Sequence, residues 1–184
     1  MIIGLIGAPG AGKDTVADFF VEHKSFKRLA FADKIKEGYY AETGYSEEQF
    51  KLARGTILEQ QIREGLWEYS ARIKKEFGQA YFIHQVIENI GKNDIIVTDV
   101  RTDLELFMLE KDCKARMVVV LRNFKEELKG KILPGTKLKL SKIINYPKFW
   151  NIQNSLDETY IELYKFFEEL QEIDMDPDGE SFTK

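Results

Sequence analysis

The sequence predicts a three-layer α/β fold, a parallel five-stranded sheet with helices on both faces. Three observations lead there. Residues 2–6, 94–99 and 117–121 are short, largely β-branched apolar runs, the character of strands buried on both sides. Segments with apolar residues at helical spacing separate them, and such alternation builds parallel sheets. A glycine-rich turn follows the first run at once, at the strand end where open parallel sheets bind ligands.

Taken in order, the first strand (2–6) leads through the turn into a helix marked by Val16, Phe19 and Phe20. A second strand is expected over 26–32, ending at Asp33 as the N-cap of another helix. Residues 46–90 read as helix broken by turns, opened by a capping box of Ser46 and Gln49. Phe50, Ala53 and Ile57 share one face, and Leu66, Tyr69, Ile73 and Phe77 another. Gly78 interrupts before Ile83, Val86, Ile87 and Ile90 resume the period. That is more helix than a crossover needs, so 38–91 is expected to be a helical insertion over the site. The third strand is 94–99, the next helix carries Leu104, Phe107 and Met108, and the fourth strand is 117–121. Residues 123–148 break the alternation around a turn at 133–136. A fifth strand over 149–153 precedes a capping box of Ser155 and Glu158. Leu156, Tyr160, Leu163, Phe167 and Leu170 then give the last helix its apolar face. The expected division is one domain over 1–173 and an acidic tail over 174–184.

The composition fits that plan. The 184 residues are 43% hydrophobic and 32% charged, enough for a core in a single domain. A net charge of −4 excludes nucleic-acid binding across the whole surface, so positive charge must be concentrated locally. The lone Cys113 suits a reducing compartment. No apolar run reaches the roughly 18 residues that span a bilayer, and Met1 leads directly into the first strand. The expectation is a cytoplasmic protein without a membrane partner.

The turn reads Gly7-Ala8-Pro9-Gly10-Ala11-Gly12-Lys13-Asp14-Thr15. Strand, glycine-rich turn and helix together form the context of a phosphate-binding loop. Its glycines let successive N–H groups converge on phosphate oxygens, and the helix adds the positive end of its dipole. Lys13 supplies a charge for the β and γ phosphates, and Thr15, one place later than usual, a hydroxyl for Mg²⁺. Gly-Lys-Asp-Thr is thereby similar to the Gly-Lys-Gly-Thr of adenylate kinase and its relatives.

The strand ends supply the other candidates. Asp33 and Asp99 end the second and third strands, and Asp99 is expected to be the second anchor for Mg²⁺. Arg101 follows, with a guanidinium able to fork onto a phosphate. Arginine is scarce, so Arg54, Arg63, Arg72, Arg101 and Arg122 are the suspects for clamping anionic oxygens. Arg28 and Arg116 stand at strand beginnings, away from the site. Lys125, Lys129, Lys131, Lys137, Lys139 and Lys142 make 123–148 either a basic lid or a hairpin kept soluble by lysine. His23 and His84 have no partner at metal-ligand spacing.

Gly-Lys-Asp-Thr-Val-Ala (12–17), Phe-Ala-Asp-Lys-Ile-Lys (31–36) and Thr-Asp-Val-Arg (98–101) together resemble bacteriophage deoxynucleoside monophosphate kinases. Phe77-Gly78, Tyr81-Phe82-Ile83 and Ile152-Gln153-Asn154-Ser155-Leu156 are similar to further segments of that family. The resemblance implies a P-loop kinase fold with a helical acceptor-binding insertion and a short lid. It implies transfer of a phosphoryl group from ATP, with Mg²⁺, to a deoxynucleoside monophosphate. Lys13, Arg101 and Arg122 would then be catalytic. Gly7, Ala8, Gly10, Ala11, Gly12, Lys13, Asp14, Thr15 and Asn154 would hold ATP, with Thr15 and Asp99 on the metal. The acceptor would meet Asp33, Lys36, Arg72, Lys74, Asp99 and Arg101. Where the family tends to carry arginine before Phe-Gly, this chain has Lys74-Lys75, which leaves Arg72 and Lys74 as alternatives. The partners implied are small-molecule nucleotides, with a homodimer left open. A dephospho-coenzyme A kinase or another small-molecule kinase is the alternative, and a nucleotide-dependent switch or ATPase a more distant one.

Overall fold

The structure is a computed structural model and describes residues 1–122, 130–151 and 155–172. Its strands are β1 (Ile2–Ile6), β2 (Lys27–Leu29), β3 (Ile95–Val97), β4 (Arg116–Leu121) and β5 (Lys148–Trp150). They form one sheet in the order β2-β3-β1-β4-β5, and every neighbouring pair is parallel. The expected fold class is therefore the observed one.

Side-chain alternation along the strands sorts the core into two layers. Met117, Val119 and Leu121 of β4 pack on one face with Val86 of α5 (Tyr81–Glu88) and Leu106 and Leu109 of α6 (Asp103–Cys113). Val118 and Val120 face the other side, against Phe19 and Phe20 of α1 (Lys13–Lys24) and Leu163 and Phe167 of α8 (Leu156–Glu172). A third cluster lies outside the sheet's own core. There Tyr39 of α2 (Phe31–Thr43) meets Ala53, just past α3 (Glu47–Leu52), and Ile62 of α4 (Ile57–Phe77). Within 38–91, then, α3 and most of α4 stand apart with the end of α2, while α5 belongs to the sheet.

Several local expectations shift. β2 stops at Leu29, and α2 starts at Phe31 after the extended Ala30, so Asp33 lies in the first turn and is not the N-cap. Ser46 and Gln49 do form a capping box, and Thr102 and Glu105 form a second one at α6. The face of Phe50, Ala53 and Ile57 is interrupted, because the chain turns at Gly55 (φ 79°) and leaves Ile57 78% exposed. Phe77 and Phe107 are also exposed. α6 buries Leu106, Met108 and Leu109, so of its expected apolar residues Met108 is buried while Leu104 and Phe107 face outward. β5 ends at Trp150 with Asn151 just past it, and residues 152–153 of the expected fifth strand, Asn154 and the acidic tail lie outside the described residues.

Of the expected lid, residues 131–140 form a hairpin. Leu133 N–H donates to Leu138 O at 3.0 Å, and Ile132 bridges Lys139 antiparallel. Leu133 and Leu138 are fully buried in the sheet's core, so this part of the segment is anchored. It leads into α7 (Leu140–Ile143). Among the described residues, no helix is long and apolar enough to cross a membrane.

Candidate active site

The turn between β1 and α1 is built as a phosphate loop. Gly12 precedes α1 at φ 94° and Gly10 stands at φ 78°, left-handed conformations that glycine adopts without strain. No side chain caps α1, whose helical ladder starts with Val16 N–H bonding Gly12 O at 3.1 Å. The preceding first-turn N–H groups, those of Asp14 and Thr15 included, are set where an anion would be received. The Lys13 ammonium folds back over the loop, donating to Gly7 O at 2.8 Å and Ala8 O at 3.0 Å. Those carbonyls hold the charge above the concavity.

Other groups brace the loop. Asn151, just past β5, donates from Nδ2 to Ala11 O at 3.1 Å, and a Cβ built on Gly12 would collide with that amide. Arg122, at the end of β4, reaches Gly10 O at 3.4 Å. Asp14 turns its carboxylate onto Arg28, which also pairs with Asp18 at 3.4 Å, so Asp14 offers the loop its backbone alone. Arg28, expected to lie apart, is tied to the loop through that pair.

A cleft of about 370 Å³ opens between α2, α4, α5, α6 and the hairpin. Phe31, Ile35, Phe82, Ile83 and Leu104 give it apolar walls, and Lys74, Gln79, Thr102, Asp103, Glu105 and Lys137 give it polar groups. The hairpin joins cleft to loop. A Cβ on Gly135 (φ 72°) would come within 2.5 Å of Pro9 Cδ, and Lys137 N–H donates to Arg101 O at 2.7 Å.

The acceptor candidates divide accordingly. Lys74 lines the cleft and lies 5.9 Å from the centre of the Phe82 ring. Arg72 is turned away, ion-paired with Glu42 at 2.5 Å and set over Tyr69. Lys36 is likewise drawn off, bonding Glu47 at 3.1 Å. Asp33 is exposed in the first turn of α2. Arg101 is exposed, and its side chain makes no hydrogen bond among the described residues. Arg54 is exposed, and Arg63 pairs with Glu59 one turn away.

Asp99 has an unexpected set of partners. Its Oδ1 accepts Phe31 N–H at 2.8 Å and its Oδ2 accepts Ala32 N–H at 2.9 Å, so it caps α2 from the next strand. Burial pushes its carboxyl above the ordinary 3.8, against the pull of those two N–H groups and of Arg101. Glu105 is raised too, chiefly by burial, although it accepts the N–H groups of Arg101 and Thr102. Among the described residues no three His, Cys, Asp or Glu side chains could hold a metal by themselves. Mg²⁺ needs no such cage, since it keeps several waters and takes one or two protein ligands beside the phosphates. The Thr15 hydroxyl, in the first turn of α1, and the spare lone pairs of Asp99, just past β3, are groups of the kind that requirement asks for.

Sequence reasoning missed Asn151, Gln79 and Glu105 as site residues, and offered Lys137 only as one lysine of a possible basic lid. The strand-end rule would have found Asn151 had the fifth strand been ended at Trp150. The basic run over 123–148 pointed to Lys137 only as one of six lysines, and its place at the cleft depends on the hairpin.

No protein-family model matches the chain. It is 29% identical over 98 residues to the UPF0200 protein of Sulfurisphaera tokodaii, covering 53% of this chain and 45% of that one. It is 23% identical over 109 residues to the adenylate kinase of Malacoplasma penetrans, covering 59% and 50%. The chain thus spans about half the length of the curated relatives it matches. Among solved structures, a shikimate kinase from Aquifex aeolicus aligns at TM-score 0.48 and 17% identity, over 93% of this chain and 98% of that one. A gluconokinase from Sinorhizobium meliloti aligns at TM-score 0.47 and 15% identity, over 93% of each chain.

Proposed function

We propose that the protein is a kinase that transfers the γ-phosphoryl group of ATP to a nucleoside monophosphate, the deoxy form being the first choice. One observation carries the reading: a single hairpin touches both a formed phosphate loop, at Pro9, and a cleft with aromatic walls and lysines. Phe31 and Phe82 suit a nucleobase better than a small polyhydroxylated acceptor, because rings gain from stacking and from apolar burial. Lys74 and Lys137 suit an acceptor carrying roughly two negative charges at neutral pH. The partial match to an adenylate kinase supports the same class.

In this reading the loop N–H groups cradle the donor phosphates, and Lys13 exchanges its two carbonyl partners for phosphate oxygens. Arg122, already against Gly10, covers the donor side. Mg²⁺, when bound, neutralises charge between the β and γ phosphates, and Thr15 and Asp99 are the residues that would hold it and its waters. Arg101 lies between Asp99 and the cleft wall at Thr102, where its guanidinium can fork onto the acceptor phosphate. The chain's contribution is positioning and charge stabilisation; no side chain needs to become covalently modified.

The test is ADP release from ATP and Mg²⁺ with each of the deoxynucleoside and nucleoside monophosphates, shikimate, gluconate, dephospho-coenzyme A or no acceptor. Stimulation by a nucleoside monophosphate supports the proposal. Equal release in every arm, or stimulation only by a different acceptor, overturns it.

A further inference from the structure

Within that reading, we infer that Lys137 is a cation for the acceptor phosphate, fixed at the loop end of the cleft by the 131–140 hairpin. Four observations meet there. Lys137 lines the cleft, and its side chain has no hydrogen bond or ion pair among the described residues. Its backbone N–H is held by Arg101 O at 2.7 Å, which brings two cationic residues from distant segments to one edge. The next residue, Leu138, and its hairpin partner Leu133 are fully buried, so the backbone under Lys137 is anchored in the core. Two residues earlier, Gly135 sits against Pro9 of the phosphate loop so closely that no side chain fits between them.

The chemistry follows from that placement. An acceptor phosphate must approach the donor closely, and a second dianion there is repelled by the donor phosphates unless cations intervene. Lys74 lines the cleft from α4, and Lys137 lines it from the hairpin that touches the loop at Pro9. The anchored hairpin fixes the backbone that carries the ammonium, so on binding only the lysine's own side-chain rotamers remain to be ordered. The inferred ligand class is a phosphate monoester whose organic part fills the apolar cleft.

The experiment measures binding rather than turnover. Titrate deoxyguanosine, thymidine, deoxycytidine and deoxyadenosine monophosphates, and the four unphosphorylated nucleosides, into the full chain as wild type, Lys137→Ala, Lys137→Glu and Lys92→Ala. Lys92 is exposed ahead of the amino end of β3, on the far edge from the cleft. Lys137→Ala is expected to weaken the best-bound monophosphate about tenfold and Lys137→Glu further. Nucleoside affinity, ATP affinity and the melting temperature should change little, and Lys92→Ala should match wild type. If wild type binds a monophosphate and Lys137→Ala binds it equally well, this assignment is overturned and the kinase reading stands. Parallel loss of nucleoside affinity makes Lys137 a packing residue and also overturns it. If wild type binds no monophosphate at all, the acceptor reading and this inference fall together.

Discussion

The Asp99 carboxylate, at the end of β3, accepts the N–H of Phe31, which opens α2 68 residues earlier in the chain. With the parallel bond to Ala32 it replaces the local cap that Ala30 cannot provide. Two effects oppose each other at this group: burial favours the protonated acid and the N–H groups favour the anion. Burial is the larger, and Glu105 behaves in the same way.

A pH dependence of stability follows. The folded state holds the Asp99 proton more tightly than the unfolded chain, so folding takes up a proton between the ordinary 3.8 and the raised value. The contribution of Asp99 is fully present below 3.8 and is lost as pH rises through that window. The unfolding free energy of wild type minus that of Asp99→Asn, measured by denaturant titration, should therefore decline with pH and then level off. A difference that grows with pH would mean that the two N–H bonds outweigh burial.

Asn151 gives a prediction on the donor side. Asn151→Ala removes the bond to Ala11 O and opens space beside Gly12, at a cost of about 1 kcal/mol. Equilibrium titration with an ATP analogue should show affinity falling about fivefold. Unchanged affinity would leave Asn151 a role in packing only.

The two candidates at the end of α4 separate cleanly. Lys74→Ala should raise the acceptor KM about tenfold with ATP affinity intact, since Lys74 lines the cleft. Arg72→Ala should leave both constants near wild type, because its partner is the surface carboxylate of Glu42. Acceptor kinetics showing the reverse order would relocate the acceptor.

What the sequence made legible is what local patterning encodes. The phosphate loop needs particular residues at consecutive positions, and the strands needed only their apolar runs. The capping box of Ser46 and Gln49 is equally local. Illegible were the contacts made across the sheet: Asp99 to α2, Asn151 to the loop, and Lys137 to Arg101 through a hairpin whose buried leucines fix it. Asp33 was chosen as a cap because local rules see only nearby residues, whereas the acceptor came from the neighbouring strand. Arg72 and Lys74 stand as alternatives in the sequence, and the helical phase turns Arg72 to Glu42 and gives the cleft to Lys74.

Lys13 anchors the donor site. Lys13→Ala should change the melting temperature far less than it changes turnover, since Lys13 is half-exposed and bonds loop carbonyls, those of Gly7 and Ala8 among its partners. Turnover should fall on the order of 10²-fold or more, as expected for removing one preorganised charge at the transition state. A folded variant with wild-type turnover would remove the loop from the chemistry.

The most direct measurement follows the label from γ-labelled ATP in the presence of Mg²⁺ and the deoxynucleoside monophosphates, with products separated by chromatography. The account predicts label in a deoxynucleoside diphosphate, formed in step with ADP and absent with Lys13→Ala. Label recovered only as inorganic phosphate, at a rate independent of any acceptor, would contradict it.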